Sequence, residues 1–387
     1  MLPGPTALTV IRRAARRPVK KDAFTIDPYT PRMDEVELRE LRMKAAVHTS
    51  YGPPDVVRVT DVAKPVPRPD EVLIAVRAAS VNPLDGLTTG KPYSLRVMTG
   101  LRKPNVTRLG VDVAGQVTAV GRNVTQFKPG DQVFGLCLVN PHASGAAAWA
   151  HSQGAFAEYA CAPESVIARK PGSVTFEQAA ATPVAAITAL QGLRDKGRLQ
   201  PGQKTLINGA AGGVGTFAVQ IAKCLGADVA GVCSSGNVDM VRSIGADRVI
   251  DYTREDFTKG DRRYDIVFDC VGNHSLSAVR RVLNREGVYV GVGGPGSRWL
   301  LGLVARPIAI LVLSRFVSQE LAVFLAKPRT EDLIYIRDLM AAGRITPVID
   351  RCYGLTEVAE AMRYQQGKHA RGKVVIGLGD TAASSTA

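Results

Sequence analysis

No two of the six cysteines stand at C-x-x-C spacing. Cys137, Cys161, Cys224, Cys233, Cys270 and Cys352 are scattered, so neither a disulfide framework nor a cysteine metal cluster is expected, and the compartment reads as reducing. Cys224, Cys233 and Cys270 fall in helix or strand patterns, where cysteine acts as a small apolar residue. His48, His142, His151 and His274 make no metal spacing. Acids are missing from residues 1–21, which hold Arg12, Arg13, Arg16, Arg17, Lys20 and Lys21. That tail carries six of the +14 net charge. The remainder is spread along the chain without an aromatic-interleaved basic patch, which argues against a nucleic-acid partner. A secretory signal is not expected either, because Ala14 to Lys21 supplies charge where an apolar core is needed. No transmembrane span is expected: a span needs about 18 uninterrupted apolar residues. The apolar stretch from Trp299 to Ala326 is broken by Arg306, Pro307 and Arg315. It suggests a buried substrate wall, a subunit interface or a lid. Internal repeats are absent.

What is present centres on Lys204 to Lys223. Thr205 to Asn208 reads as a strand, and Gly209 to Gly215 as a glycine-rich turn. Phe217, Val219, Ile221, Ala222 and Leu225 then follow helical spacing. Strand, turn and helix open a dinucleotide-binding unit. Glycine permits the sharp turn, the close approach of a pyrophosphate and tight helix–strand packing. The N–H groups of Ala211, Gly212, Gly213, Val214 and Gly215 are the expected phosphate contacts. Ala210 departs from G-x-G-x-x-G, leaving A-x-G-x-x-G. Further strands are expected at 226–233, within 243–252, at 264–272 and at 287–294. That alternation implies a doubly wound parallel sheet.

The fold class is therefore α/β, with a β-barrel domain before the doubly wound domain. Residues 1–42 read as a flexible or targeting extension, 43–169 as a β-rich domain and 170–325 as the nucleotide domain. Residues 326–380 return to mixed helix and strand, and 381–387 form a tail. Short strands at 56–59, 71–79, 112–121 and 132–135, punctuated by Gly and Pro, suggest a partly open barrel. Phe176 to Gly192 reads as one helix leading into the nucleotide domain. The compartment is expected to be cytoplasmic, or mitochondrial if the basic N-terminal segment is a transit peptide.

Several segments together resemble the medium-chain dehydrogenase/reductases, in their zinc-independent quinone oxidoreductase branch. They are Ser80-Val81-Asn82-Pro83-Leu84-Asp85, Leu109 to Gly115, Phe127 to Asp131, Gly154 to Tyr159, the glycine turn and Gly372-Lys373-Val374-Val375. Val232-Cys233-Ser234 and His369-Ala370-Arg371 are similar to a mitochondrial, reticulon-interacting branch and its bacterial relatives. The resemblance implies that 43–169 is a GroES-like catalytic barrel, completed by residues 326–380 and joined to a Rossmann domain, and it implies a homodimer. It also implies cofactor contacts from His369, Ala370 and Arg371. Relatives that use catalytic zinc bind it through a cysteine and a histidine–glutamate pair. Here Asn82 and Val111-Asp112 stand at those positions, and neither an amide nor an alkyl group replaces thiolate and imidazole. No metal is expected.

Without a Lewis acid, the chemistry left is hydride transfer to an electron-poor acceptor, a quinone or an enone. The alternative is an NADPH-binding regulatory or structural protein of the same fold with little turnover. The cofactor is expected to be NADPH. No acid follows the second nucleotide-domain strand to repel a 2′-phosphate, and Ser234 and Ser235 offer hydroxyls to bind it. Tyr252 is placed to flank the adenosine. Asn82 has two open roles: positioning substrate or nicotinamide, or capping the turn before Pro83. Asp85 is a second candidate turn cap. Tyr93 is either a proton donor to a reduced enone, as the resemblance suggests, or an exposed loop residue.

Overall fold

The computed structural model describes residues 41–90, 96, 100–105, 107–142, 149, 154–292, 310, 317–367 and 370–378. Tyr93, His369 and, except for residue 310, positions 299–316 of the apolar stretch 299–326 lie outside the described residues, as do residues 1–40.

The chain opens with the hairpin β1 (Arg42–His48) and β2 (Val57–Ala63). The barrel sheet then begins with β3 (Glu71–Val81), helix α1 (Pro83–Gly90) and β4 (Asp112–Val120). It continues through β5 (Gln132–Leu136), β6 (Tyr159–Pro163) and β7 (Ile167–Arg169). Helices α2 (Phe176–Ala180) and α3 (Pro183–Leu190) lead onward. The nucleotide domain follows as β8 (Lys204–Asn208), α4 (Gly213–Cys224), β9 (Asp228–Cys233), α5 (Val238–Ser243) and β10 (Arg248–Asp251). Its second half is β11 (Tyr264–Asp269), α6 (Leu276–Arg281), β12 (Leu283–Gly291) and β13 (Glu320–Val323). Helix α7 (Thr330–Ala341), β14 (Ile349–Gly354), α8 (Val358–Gln366) and β15 (Lys373–Gly377) close the chain.

The nucleotide-domain sheet runs in the order β10-β9-β8-β11-β12-β13, with every pairing parallel. The order reverses beside β8, so the crevice at the end of β8 is the topological switch point where such sheets bind ligands. The barrel sheet runs β14-β15-β3-β4-β5-β7, with β6 added to β3. Strand β15 pairs antiparallel to β3, so the last described strand completes the first domain. Helix α4 is buried along Gly215 to Ala222. Its one long polar side chain there, Gln220, is satisfied by Thr346 through both its amide N–H and its carbonyl. Among the described residues no helix is long and apolar enough to cross a membrane.

One expected element differs. Phe176 to Gly192 is not a continuous helix, because Pro183 has no N–H to donate and instead starts α3. A capping box between Thr175 and Gln178 fixes the start of α2, and Thr182 Oγ1 donates to Gln178 O where it ends. The chain then widens into a π-helical turn at Gln191–Lys196. There the buried Gln191 side chain donates to Lys327 O and Asp332 Oδ2, tying the turn to the approach of α7.

Candidate active site

Strand β8 delivers the chain to a turn that only glycine can make. Gly209 has φ +85°, in the left-handed region, and its N–H and that of Ala210 both donate to Val232 O. A Cβ on Gly215 would lie 2.0 Å from Gly209 O, so the helix sits against its own entry turn. Gly212 begins α4 in extended geometry with no side chain to cap it. The first N–H groups of a helix lack intrahelical acceptors. Here they carry the positive end of the helix dipole and face the switch point, a geometry suited to a pyrophosphate.

The ends of β9 and β10 lie alongside, with Asp251 in register with Cys233. Ser234 Oγ accepts from Asn237 Nδ2, leaving its own hydrogen to donate elsewhere. Ser235 Oγ donates to Asp251 Oδ2 at 2.6 Å, and Thr253 Oγ1 donates to Asp251 Oδ1 at 2.8 Å. The Ser235 hydrogen bond, then those from Thr253, hold the Asp251 carboxyl below the usual carboxylate range. This corrects the expectation that no acid stands at this strand end. The carboxylate comes from the neighbouring strand, and the Ser235 hydroxyl is committed to it. Tyr252 is 60% exposed and donates its N–H to Cys233 O, which sets it beside the β9 end.

The barrel reaches this crevice from the segment before β15. Gly372 N–H donates to Ala211 O at 2.8 Å, and the two chains form a parallel bridge between Gly212 and Gly372. Arg371 lies over Gly236, its guanidinium 3.4 Å from where a Cβ would be. Its N–H is anchored on Asp350 Oδ2. Ala370 packs partly buried against the barrel core. Ala211, Gly212, Gly213, Val214, Gly215, Ser234, Ser235, Tyr252 and Arg371 are thus gathered at one crevice, while Ala370, next to Arg371 in the chain, packs on the barrel.

Asn82 has a more specific place than either sequence role. It is 2% exposed at the end of β3, and its Nδ2 donates to Asp112 Oδ2 at 2.9 Å and more weakly to Ser80 O. Its Oδ1 accepts from Lys373 Nζ at 2.6 Å. The turn before α1 is held by Asp85, whose Oδ2 accepts from Asn82 N–H and whose Oδ1 accepts from Gly110 N–H. Sequence reasoning missed Lys373, Asp112 and Asp251. Asp112 did leave a signal, as a lone acid among the apolar residues of a central strand.

Burial pushes the Asp85 carboxyl up to about 7, with Asp112 adding to the shift and the two N–H donors and Lys373 opposing it. The folded value lies above the unfolded one of about 3.9. The native state therefore holds a proton that the unfolded chain releases. The stabilisation is complete below pH 4 and is lost as pH rises through about 7. Measured by chemical denaturation, wild type should lose stability relative to Asp85→Asn between about pH 4 and pH 7. The slope is at most about 1.4 kcal/mol per pH unit. A pH-independent difference would show that Asp85 titrates normally.

A third polar group backs the crevice. Asp269 ends β11 beside Asn208 and is 1% exposed. Its Oδ1 accepts from Asn208 Nδ2, Val271 N–H and Gly272 N–H, and its Oδ2 accepts from Tyr289 OH.

Residues 68–172 match the family model described as alcohol dehydrogenase GroES-like domain, and residues 244–376 the one described as zinc-binding dehydrogenase. The chain is 32% identical to the mitochondrial NAD(P)H oxidoreductase RTN4IP1 of Mus musculus, over 95% of this chain and 98% of that one. It is 34% identical to the 2-methylene-furan-3-one reductase of Solanum lycopersicum, over 86% and 79% of the two chains. Among solved structures, the quinone oxidoreductase from Coxiella burnetii superposes with a TM-score of 0.74 at 29% identity, covering 87% of this chain and 100% of that one.

Proposed function

Since the chain belongs to the medium-chain dehydrogenase/reductase family, in its quinone oxidoreductase branch, we propose that it transfers hydride from NADPH to a quinone or an enone without using zinc. The observation that carries this reading is the closed glycine turn, which aims the start of α4 at the junction with the barrel. Reduced nicotinamide, when bound, supplies the hydride, and the protein supplies position and a dry surface. The α4 N–H groups hold the pyrophosphate. Ser234 and Arg371 hold a 2′-phosphate, while Asp251 keeps the Ser235 hydroxyl turned away from it. Val111 is buried alkyl, and Asn82 and Asp112 are already bonded to an ammonium. A dication placed there would meet the Lys373 charge, so this donor set does not fit zinc. An acceptor that is electron-poor without metal help suits such a site. Relatives named as quinone and alkenal/one oxidoreductases support that acceptor class.

The test is NADPH oxidation by the chelator-dialysed chain across a panel of quinones and enals. Turnover with at least one acceptor is expected. Activity seen only after zinc is restored would overturn the zinc-free assignment. NADPH binding with no turnover would make the protein a nucleotide-binding one instead. Cofactor choice has its own test. Arg371 is exposed, so its contact with phosphate falls at the weak end for charge-assisted bonds, and Arg371→Ala should weaken NADPH about tenfold. NADH should change less than about twofold, since it lacks the phosphate. Equal losses for both cofactors in a fluorescence titration would remove Arg371 from the 2′-phosphate site.

A further inference from the structure

Lys373 opens β15 and is 3% exposed, the one buried Lys or Arg among the described residues. A buried ammonium is costly unless its hydrogens find acceptors. Here they do: Asn82 Oδ1 lies at 2.6 Å, Val81 O at 3.4 Å and Asp112 Oδ2 at 3.5 Å. Burial lowers its pKa, and Asp112 and Asp85 oppose that shift. Asp112 is satisfied in turn. Its Oδ2 accepts from Ser80 Oγ and Asn82 Nδ2, and its Oδ1 accepts from Val184 N–H at the start of α3.

This arrangement fixes one orientation of the Asn82 amide. Flipped, its two hydrogens would point at the ammonium and its oxygen at a carboxylate. The Lys373 stem meanwhile passes the glycine turn, its Cδ lying 3.1 Å from where a Cβ on Gly213 would be. Its chain neighbour Gly372 bonds Ala211 O through its backbone. Two successive residues therefore seat the phosphate turn on the barrel, one by main chain and one by side chain. Gly372 holds φ +88°, and a Cβ there would lie 2.3 Å from Val348 O, so this crossing admits no bulk.

We propose that Lys373 is a cofactor-positioning residue: by locking Asn82 and Asp112 it joins the end of β3 to the start of β15 and so sets where the glycine turn lies against the barrel. The kinetic part of this proposal rests on the hydride-transfer reading, and the affinity part rests only on cofactor binding at the turn. Stability alone does not call for an ion pair here, because apolar side chains of similar volume often replace buried pairs without loss. Hydride transfer does call for close positioning, since a displacement of about 1 Å can cost about 100-fold in rate.

The experiment compares full-length wild type with Lys373→Met and with the double variant Lys373→Met, Asp112→Asn. The single variant leaves the Asp112 carboxylate buried without its counter-ion and should lose thermal stability. The double variant is neutral at both positions, and its Asn82 amide is free to flip, so its thermal midpoint should return towards wild type. With stability restored, NADPH should still bind about tenfold more weakly, and kcat at saturating NADPH should remain down about 100-fold. A double variant with wild-type affinity and kcat would show that Lys373 only balances Asp112, and would overturn the proposal. If wild type turns over no acceptor, the hydride-transfer reading fails and NADPH affinity alone decides: a tenfold loss supports positioning, and wild-type affinity overturns it. Should the double variant not fold, Lys373→Gln is compared with Lys373→Met: both leave Asp112 without its counter-ion, but the Gln amide still donates to Asn82 Oδ1, so positioning predicts NADPH affinity and kcat nearer wild type in Lys373→Gln, and equal losses in the two would overturn it.

Discussion

Gly215→Val should abolish measurable NADPH binding while leaving a folded barrel. The Cβ it introduces would lie 2.0 Å from Gly209 O and 2.8 Å from Gly209 C, and both are backbone atoms. A flexible side chain could swing aside, but a carbonyl at φ +85° that closes onto Gly212 N–H cannot move without opening the turn. Ordinary overpacking costs about 1–3 kcal/mol, or about 5- to 150-fold in affinity if all of it falls on the bound geometry. A backbone clash belongs at or beyond the upper end of that range. Gly213→Ala puts a milder clash on the same turn and should weaken NADPH far less than Gly215→Val. Its Cβ would meet Lys373 Cδ at 3.1 Å and Gly372 O at 3.4 Å, so a small shift of the lysine stem accommodates it. Isothermal titration of both variants with NADPH provides the check. If Gly215→Val binds as wild type does, the turn is not the phosphate site.

The features that sequence made legible are those with local causes. Thr205 to Asn208, the glycines and the apolar spacing from Phe217 to Leu225 all act within about one strand and one helix of each other, and β8, the turn and α4 lie where that pattern places them. The parallel order followed from alternating elements. Pro183 was visible in the sequence, yet the apolar run around it suggested one helix. The proline N–H deficit decided the matter at a single position.

The site residues that escaped reading have partners that only the fold supplies. Asp251 meets Ser235 because β9 and β10 are parallel neighbours in register, a relation that no spacing rule encodes. Lys373 and Asn82 are 291 positions apart in the chain. Lys373 precedes Val374-Val375-Ile376, so it has the look of a solvated strand end. Its burial arises because β15 joins β3 and its first residue faces the other domain. Arg371 came into view only through resemblance, and its place over Gly236 depends on the approach of the segment before β15, which no local spacing encodes.

Asp269→Ala should cost the most stability of any change considered. The substitution removes four hydrogen bonds at once, from Asn208, Val271, Gly272 and Tyr289, in a site that water barely reaches. Deleting a buried acceptor leaves its donors unsatisfied, at about 1–3 kcal/mol for each one that water does not rescue. Asp269→Asn separates charge from shape. One amide oxygen still accepts from the Oδ1 donors, and the amide N–H donates to Tyr289 Oη, which then acts as acceptor. That variant should lose about 1–2 kcal/mol, the scale of weakened neutral bonds. The effect reaches function through one contact. A Cβ on Gly209 would lie 2.7 Å from Val271 Cγ2, so the segment that Asp269 pins is the wall behind the glycine turn. Guanidinium denaturation gives the stability order, and NADPH titration under native conditions should follow it, with the alanine variant weakest in both. An alanine variant as stable as wild type would mean that the loop after β11 is held by something other than Asp269. An alanine variant that is unstable yet binds NADPH normally would separate this wall from the phosphate site.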